Sequence, residues 1–309
     1  MPRLELRAIA GAAAVTVLLT AACAARPVTV PFDFSRGEIG LEVRVHGAPL
    51  YMFLDTGASP SAIDTARARA AGLKIDFAHR GEASGSGSAV HVYVYPAPID
   101  GLVVGGRRFG PIAALAADQT AISHAYGRAV GGTLGLSFLA GHVVVIDYPA
   151  RRLTVGDSRA EVAAQIATCR RAWQMPLKSF KGDFIPIVDL RIGSALMPAG
   201  IDTGSDSAVD LFQNALKEPA VKAALTVAGT HRITGNRGES VATIYRVNAP
   251  VALGPFAVPA GARAAVNGNP GSIDTRLANA GNPLLAAMRL KLLLDYRDRR
   301  IGFFGDCAR

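Results

Sequence analysis

The chain contains the stretch Leu50-Tyr51-Met52-Phe53-Leu54-Asp55-Thr56-Gly57-Ala58-Ser59, and a related stretch follows 147 residues later, Met197-Pro198-Ala199-Gly200-Ile201-Asp202-Thr203-Gly204-Ser205-Asp206. Each stretch reaches the same Asp-Thr-Gly triplet. Asp and Gly recur in turns for purely structural reasons, so one copy of the triplet would be weak evidence of function. Two copies in related surroundings indicate an internal repeat, which constrains the architecture before any single element is assigned.

The similarity continues outward from both triplets. Upstream, two segments alternate apolar and polar residues as half-buried strands do. Downstream, a Gly-containing turn leads to an apolar run and a basic turn in each copy. The matched blocks are Leu41–Val45 with Val188–Ile192, Gly135–Leu139 with Gly281–Leu285, and Val143–Leu153 with Leu290–Ile301. Four blocks in the same order, counting the triplets, predict two duplicated lobes.

Each lobe has the same predicted element order: a strand pair, the Asp-Thr-Gly loop, a helix, a hairpin region and a final strand pair. The first helix is predicted over Pro60–Ala71, with Gly72 as its stop, and the second lies within Val209–Leu225, interrupted at Pro219. Short apolar runs punctuated by Gly, Pro and Asn elsewhere indicate mainly β architecture. We expect lobes over residues 24–160 and 173–309, joined by a polar connection over 161–172.

Amide hydrolysis needs a water made nucleophilic and a carbonyl made electrophilic at one point, and the two carboxylates of the paired triplets can do both if they face each other. One acid held close to another cannot ionise as easily as it would alone, so the pair shares a proton. The ionised member can then accept a proton from water while the protonated member donates to the carbonyl oxygen. The two titrations belong to the pair, so no separate pKa is assigned to Asp55 or Asp202.

With these residues the sequence resembles the aspartic peptidases over nearly the whole chain that follows the first 22 residues. The Asp55 loop, preceded by an apolar run, is similar to the retroviral type, and the duplicated single chain is similar to the pepsin-like layout. Gly135–Leu139, followed by an apolar strand and Ile146-Asp147-Tyr148, is typical of bacterial retropepsin-like proteins. The resemblance implies a bilobal fold of two β-barrel-like lobes related by a pseudo-twofold axis, with a few short helices. It also implies a monomeric endopeptidase that acts on peptide or protein substrates and needs no cofactor or metal.

The resemblance implies roles for the residues around the two acids. Thr56 and Thr203 would brace the loops by hydrogen bonds across the axis. Gly57 and Gly204 would let backbone N–H groups approach the carboxylates, where a Cβ would intrude. Ser205 would hydrogen-bond the outer oxygen of Asp202, and Ala58 cannot do the same for Asp55. We therefore expect an electrostatically asymmetric pair.

Residues 81–95 are the candidate cover over the site. Their flexible tip includes Gly85, Ser86 and Gly87, and the strand that returns from it carries Tyr93 and Tyr95. A surface loop without function would have the same composition. The corresponding second-lobe turn, Thr234–Gly238, is either a second cover or only a hairpin.

Residues 1–22 have the pattern of a signal peptide, a weakly basic start followed by the uncharged segment Ala8–Ala22. Thr20-Ala21-Ala22-Cys23 resembles a bacterial lipobox, although Thr20 stands where Leu or Val is usual. Lipid attachment at Cys23 and ordinary cleavage near Ala22 both remain open. Either predicts export to the cell envelope, the periplasm, and Cys169 and Cys307 could there form a disulfide or stay as two thiols.

The remaining composition excludes several other classes of protein. The net charge of +9 is scattered in groups of two or three basic residues without interleaved aromatics, so we expect no nucleic-acid partner. No apolar run reaches the ~18 residues of a membrane-spanning helix. The six His residues are dispersed, and neither a GxSxG motif nor a phosphate-binding loop occurs.

A second function remains open, a non-catalytic envelope protein that binds peptides in the same cleft. It is favoured by three departures from the family pattern: Ala58, the polar Asn279-Ala280-Gly281 where a more apolar pair before Gly is usual, and Asp206 beside the second triplet. The presence of both Asp residues argues against it.

Overall fold

The computed structural model describes residues 26–85, 87, 91–179, 184–235, 237–266, 268, 271–272 and 274–308. The predicted signal peptide (residues 1–22), Cys23 and Ser86 lie outside these residues. Within the ranges just given, no helix combines the length and the apolarity needed to cross a membrane.

Short strands dominate the first half of the described chain, with a few helices of one or two turns. The strands are β1 (Val28–Pro31), β2 (Gly40–Val45), β3 (Ala48–Leu54), β4 (Ser61–Asp64), β5 (Gly81–Glu82), β6 (Tyr93–Pro96), β7 (Leu102–Val104), β8 (Arg107–Arg108), β9 (Ala114–Ala117), β10 (Gly132–Leu134), β11 (Val143–Asp147) and β12 (Arg152–Gly156). The helices are α1 (Thr65–Ala70), α2 (Thr120–Tyr126), α3 (Leu136–Leu139) and α4 (Arg159–Val162), and a 3₁₀ turn covers Ala163–Gln165.

The second half repeats this pattern with a longer hairpin. Its strands are β13 (Cys169–Pro176), β14 (Ile187–Ile192), β15 (Ala195–Asp202), β16 (Val209–Leu211), β17 (Leu225–Gly235), β18 (Gly238–Val247), β19 (Val251–Leu253), β20 (Phe256–Val258), β21 (Arg263–Val266), β22 (Ala278–Gly281), β23 (Lys291–Asp295) and β24 (Arg300–Cys307). Its helices are α5 (Pro219–Ala223) and α6 (Asn282–Ala287), and a 3₁₀ helix covers Gln213–Lys217.

Each half of the described chain builds one nine-stranded sheet, and the two sheets have the same strand order. The first runs β5-β6-β9-β4-β10-β3-β2-β7-β8 and the second β17-β18-β21-β16-β22-β15-β14-β19-β20. Strand directions match as well, since β3 and β10 are parallel in the first sheet and β15 and β22 are parallel in the second. The repeat in the sequence is therefore a repeat in the fold, and the mainly β bilobal prediction is confirmed.

A six-stranded sheet, β1-β12-β11-β23-β24-β13, joins the two halves. At its centre β11 from the first half pairs antiparallel with β23 from the second, in a register that places Val145 opposite Leu293. Nearly every side chain of these two strands is buried, which explains why both sequences are continuous apolar runs. The pairing fixes the lobes against each other.

At the edge of this sheet, Cys169 and Cys307 form a disulfide. The two residues lie opposite each other in the β13–β24 pairing. The sequence left open either a disulfide or two free thiols at Cys169 and Cys307, and the structure has the disulfide.

The segment after the first Asp-Thr-Gly loop differs from the helix predicted over Pro60–Ala71. Residues 61–64 form strand β4, and α1 begins only at Thr65 because the Asp64 side chain accepts a hydrogen bond from the backbone N–H of Arg67 and caps the helix there. The stop at Gly72 is as predicted, since this residue has φ +74° just after the helix. In the predicted connection, 161–172, lie the end of α4, a 3₁₀ turn and the start of β13.

Candidate active site

Asp55 and Asp202 stand at the ends of two equivalent buried strands. Asp55 follows β3, and Asp202 is the last residue of β15. Leu54 and Ile201, which precede the acids, are fully buried, and the backbone N–H of Asp55 donates to the carbonyl of Leu134 on β10 at 3.0 Å. Burial of the preceding residues holds both loops in place, and the Asp55 loop is also held by a hydrogen bond to β10.

Thr56 and Thr203 join the two loops by four hydrogen bonds. The hydroxyl of Thr56 donates to the Ile201 carbonyl at 2.6 Å, and the hydroxyl of Thr203 donates to the Leu54 carbonyl at 3.0 Å. Each hydroxyl oxygen also accepts from the backbone N–H of the other threonine, at 2.9 and 3.0 Å. Both threonines are fully buried. The expected bracing across the axis is present.

The two carboxyl groups meet over the glycines that follow them. Backbone N–H groups of Gly57 and Gly204 donate to Oδ1 of Asp55 and Asp202, at 2.6 and 3.0 Å. A Cβ placed on Gly57 would lie 3.0 Å from Asp55 Oδ1 and 2.8 Å from Asp202 Oδ1, while one on Gly204 would overlap the Asp55 carboxyl. Only glycine leaves space at either position for the two acids to approach each other.

Burial and mutual repulsion govern how this pair titrates. Burial raises the pKa of Asp55 well above its usual range, and the neighbouring Asp202 carboxylate raises it further. Burial also raises the pKa of Asp202, but the N–H of Gly204, the charge of Arg276 and the amide of Asn279 act in the opposite direction. Each carboxyl thus opposes the ionisation of the other, so the two titrate as one pair.

Ser205 does not take the partner predicted for it. Its hydroxyl donates to Asp210 Oδ2 at 2.6 Å rather than to Asp202. A hydroxyl has a single proton to donate, and this one is directed at a buried carboxyl whose pKa is raised to about 7 by burial. Ser205 therefore supports the second loop through Asp210 on β16.

Asn279 occupies the place expected of Ser205. Its Nδ2 donates to the outer oxygen of Asp202, Oδ2, at 2.8 Å, and the residue is 7% exposed. The predicted asymmetry of the pair is therefore present, with an amide as its cause. The signal for this residue in the sequence was the unusual polar position before Ala280-Gly281.

The candidate cover is a hairpin in each lobe. In the first lobe, β5 pairs with β6, and beyond it Ala83 N–H donates to Val92 O at 2.8 Å. Tyr93 and Tyr95 contact Arg80 and Phe77 of the same lobe. Of the tip residues, Gly85 and Gly87 are described and Ser86 is not.

The second-lobe hairpin is the longer of the two and reaches the first lobe. The β17–β18 pairing runs from Leu225–Val247 to Gly235–Gly238, and its strands pack against α2. At its tip the backbone of Arg237 lies so close to Gly87 that a Cβ on Gly87 would overlap it. The turn that the sequence left as either a cover or a simple hairpin therefore spans the gap between the lobes.

Within the residues that the structure describes, no group of His, Cys, Asp and Glu side chains is arranged to hold a metal ion. The groups that converge on the two acids are backbone N–H donors, an amide and a guanidinium. Such a set can hold and move protons at two carboxyls that face each other.

Comparison with protein families gives a match for the first lobe. Residues 41–138, which include the Asp55 loop and the turn at Gly135, match the family model described as aspartyl protease. The second loop lies outside the matched segment. No curated protein matches the chain.

Proposed function

The chain belongs to the aspartic peptidase superfamily, and from that premise we propose that it is an endopeptidase that hydrolyses peptide bonds with a water molecule activated between Asp55 and Asp202. The observation that carries the proposal is the approach of the two carboxyls, whose Oδ1 atoms both lie within 3.0 Å of the point where a Cβ of Gly57 would be. Two acids this close share a proton, so one accepts while the other donates.

The reaction divides between the two carboxyls. The ionised member accepts a proton from water as the water oxygen bonds to the scissile carbonyl carbon, and the protonated member donates its proton to the carbonyl oxygen. The resulting tetrahedral diol collapses when one hydroxyl returns its proton to a carboxylate and the amide nitrogen takes up a proton. The C–N bond then breaks to give a carboxylic acid and an amine, and the pair again holds one proton.

The loop geometry keeps the two acids ready for this proton transfer. The Thr56 and Thr203 hydrogen bonds fix the loops before substrate arrives, so no reorganisation is needed during the reaction. We propose an extended peptide as the substrate, held through its backbone beneath the two hairpins. Because both acids are on one chain, a monomer is sufficient for activity.

A protease assay with the purified protein tests the proposal. We expect cleavage of a denatured protein mixture at mildly acidic pH, with a bell-shaped pH dependence because the pair must hold a single proton. Pepstatin should inhibit it, and Asp55→Asn should lower kcat by at least about a thousandfold while the circular dichroism spectrum stays unchanged. Undiminished cleavage by Asp55→Asn would rule the mechanism out.

The alternative, a non-catalytic peptide-binding protein, is favoured by the position of Asp206, which adds a negative charge close to the second loop. Its charge raises the pKa values of Asp210 and Glu38. The two functions are separated by isothermal titration of the wild type with a peptide pool. Binding without cleavage at any pH would favour the alternative.

We also propose that the protein is exported to the cell envelope. Lipid attachment at Cys23 is a separate possibility that the same experiment tests. The Cys169–Cys307 disulfide supports an oxidising compartment. Mass spectrometry of the N-terminus of the mature protein distinguishes an acylated Cys23 from a free N-terminus near residue 23, and an uncleaved Met1 would contradict export.

A further inference from the structure

The two acids of the pair have different neighbours, although their loops are repeats of one another. On β22, Asn279 lies opposite Gly200 of β15 in the parallel register, and its Nδ2 donates to Asp202 Oδ2 at 2.8 Å. An amide NH₂ group can only donate, and an ionised carboxylate can only accept. This hydrogen bond therefore stabilises the charged form of Asp202.

The Asn279 side chain occupies the space that Gly200 leaves open. A Cβ on Gly200 would lie 2.8 Å from Asn279 Oδ1 and 3.3 Å from Arg276 Nη1, so a larger residue there would displace the amide. Of the two ends of the amide, the NH₂ end is bonded to Asp202, whereas Oδ1 is buried without a hydrogen-bond partner among the residues that the structure describes.

The equivalent place in the first lobe is built differently. There β10 and β3 have the same parallel pairing, and Thr133 lies opposite Phe53 where Asn279 lies opposite Gly200. Phe53 packs with Tyr51 and the fully buried Val130. Thr133 has no amide group that could donate to Asp55 as Asn279 does to Asp202.

We propose that Asn279 is a positioning residue that keeps the negative charge of the pair on Asp202 and leaves the proton on Asp55. This inference rests on the peptidase function proposed above and deepens it. Asp202 is then the group that accepts the proton of the attacking water, and Asp55 is the group that donates to the carbonyl oxygen. The two loops are repeats of each other, but within the described part of the chain Asn279 on β22 gives Asp202 a side-chain amide hydrogen bond that Asp55 lacks. The two acids therefore take different roles.

The other charged groups near Asp202 act in both directions. Asp206 and Asp210 follow Asp202 on the same lobe, and Glu38 faces Asp206 from the first lobe. Burial raises the pKa of Asp210 to about 7 and that of Glu38 to about 8, so both are neutral at mildly acidic pH. The Asp206 charge then opposes a charge on Asp202, whereas the charge of Arg276 and the amide of Asn279 lower the pKa of Asp202.

The pH dependence of kcat/KM in three variants tests the proposal. Asn279→Leu keeps the size of the side chain and removes the donor, so the acid limb, which reports ionisation of the accepting carboxyl, should move to higher pH by about 1 to 2 units. Arg276→Met should move it in the same direction by less. Thr133→Val, at the equivalent position of the first lobe, is the matched control and should leave the profile in place.

KM should change little in Asn279→Leu, because the lost contact is to Asp202 and not to the peptide. An acid limb that coincides with that of the wild type would overturn the inference, as would an equal shift in Thr133→Val. If Asn279→Leu does not fold, Asn279→Ala removes the same donor without adding bulk, and an unshifted acid limb in that variant counts against the proposal.

A titration without turnover separates this inference from the function on which it rests. Carboxyl ¹³C NMR of aspartate-labelled protein should show one aspartate ionising at higher pH in Asn279→Leu than in the wild type. If the wild type cleaves nothing, the peptidase function fails, and this spectrum still shows whether Asn279 holds the charge on Asp202. Identical titrations in both proteins would overturn the inference.

Discussion

At the contact between the two loops, Thr56 and Thr203 each satisfy more than one buried backbone group. Each threonine hydroxyl both donates to and accepts from the opposite loop, so one side chain serves two buried backbone groups. In a fully buried place, a group that loses its partner cannot turn to water instead. The loops are therefore coupled in stability as well as in chemistry.

This coupling gives a first prediction for Thr56→Val. The substitution leaves the Ile201 carbonyl and the Thr203 N–H without the Thr56 hydroxyl, and we expect the free energy of unfolding to fall by about 3 kcal/mol. Urea denaturation at constant pH measures the loss. Thr56→Ser keeps the hydroxyl and should lose no more than about 1 kcal/mol, so equal losses in both variants would show that the methyl group, and not the hydrogen bonds, matters.

Glu38 is a second residue whose surroundings determine a measurable property. Its Oε2 is buried, and burial together with the Asp206 charge raises its pKa to about 8, from about 4.5 in an unfolded chain. Between these values the folded state binds a proton that the unfolded state does not. The contribution of Glu38 to stability is therefore fully present below about pH 4.5 and is lost as the pH rises towards 8.

We expect Glu38→Gln to abolish this part of the pH dependence. Its free energy of unfolding should exceed that of the wild type at pH 8 by at least about 1 kcal/mol, and the difference should shrink towards pH 4.5. Chemical denaturation at several pH values gives both quantities. The matched control is Glu42→Gln, an exposed glutamate of neighbouring strand β2, which should show no such trend. A parallel trend in both variants would contradict the assignment to Glu38.

Among the secondary-structure elements, those predicted from the sequence are the ones that hydrophobic periodicity and the internal repeat specify. The strands around both triplets and the final pair in each half follow from alternating or continuous apolar residues, and the structure has them as β2, β3, β11 and their counterparts β14, β15, β23. Duplication could be inferred without coordinates because the same blocks recur in the same order. These strands could be predicted because patterns within short stretches of the sequence specify them.

The remainder depends on contacts that no local pattern contains. Residues 61–64 adopt a strand because β4 lies between β9 and β10, partners that follow 50 or more residues later in the chain. Helix propensity in the following segment could not reveal that pairing. The same holds for Ser205, whose hydroxyl meets Asp210 only after β16 has joined its sheet.

The hairpins show how equivalent elements have diverged. In the first lobe the pairing of β5 with β6 is short, whereas the β17–β18 ladder is long and reaches α2 of the other lobe. Composition favoured residues 81–95 as the cover because glycine and serine are concentrated there. The second-lobe hairpin is nevertheless the longer of the two and is the one seen to contact α2 of the first lobe.

Considered as a whole molecule, the chain is held together by the six-stranded sheet that both halves build. The β11–β23 pairing lies at its centre, and β13 lies at its edge, where the chain has just passed from one half to the other. A segment at an edge has neighbours on one side only and is the easiest part of a sheet to detach. The Cys169–Cys307 disulfide fastens β13 to β24 at this edge.

Removing that bridge should therefore cost stability without altering the site. The two cysteines are 138 residues apart, so the cross-link restricts a large part of the unfolded chain, and we expect Cys169→Ala with Cys307→Ala to lower the free energy of unfolding by about 2–4 kcal/mol. Guanidinium denaturation measures it, and dithiothreitol should reproduce the loss in the wild type but have no effect on the double variant. The pH dependence of proteolysis should stay the same in the double variant, because the bridge lies at the sheet edge and the acids are braced by their own loops. A shifted pH profile would mean that the edge of the shared sheet is coupled to the carboxyl pair.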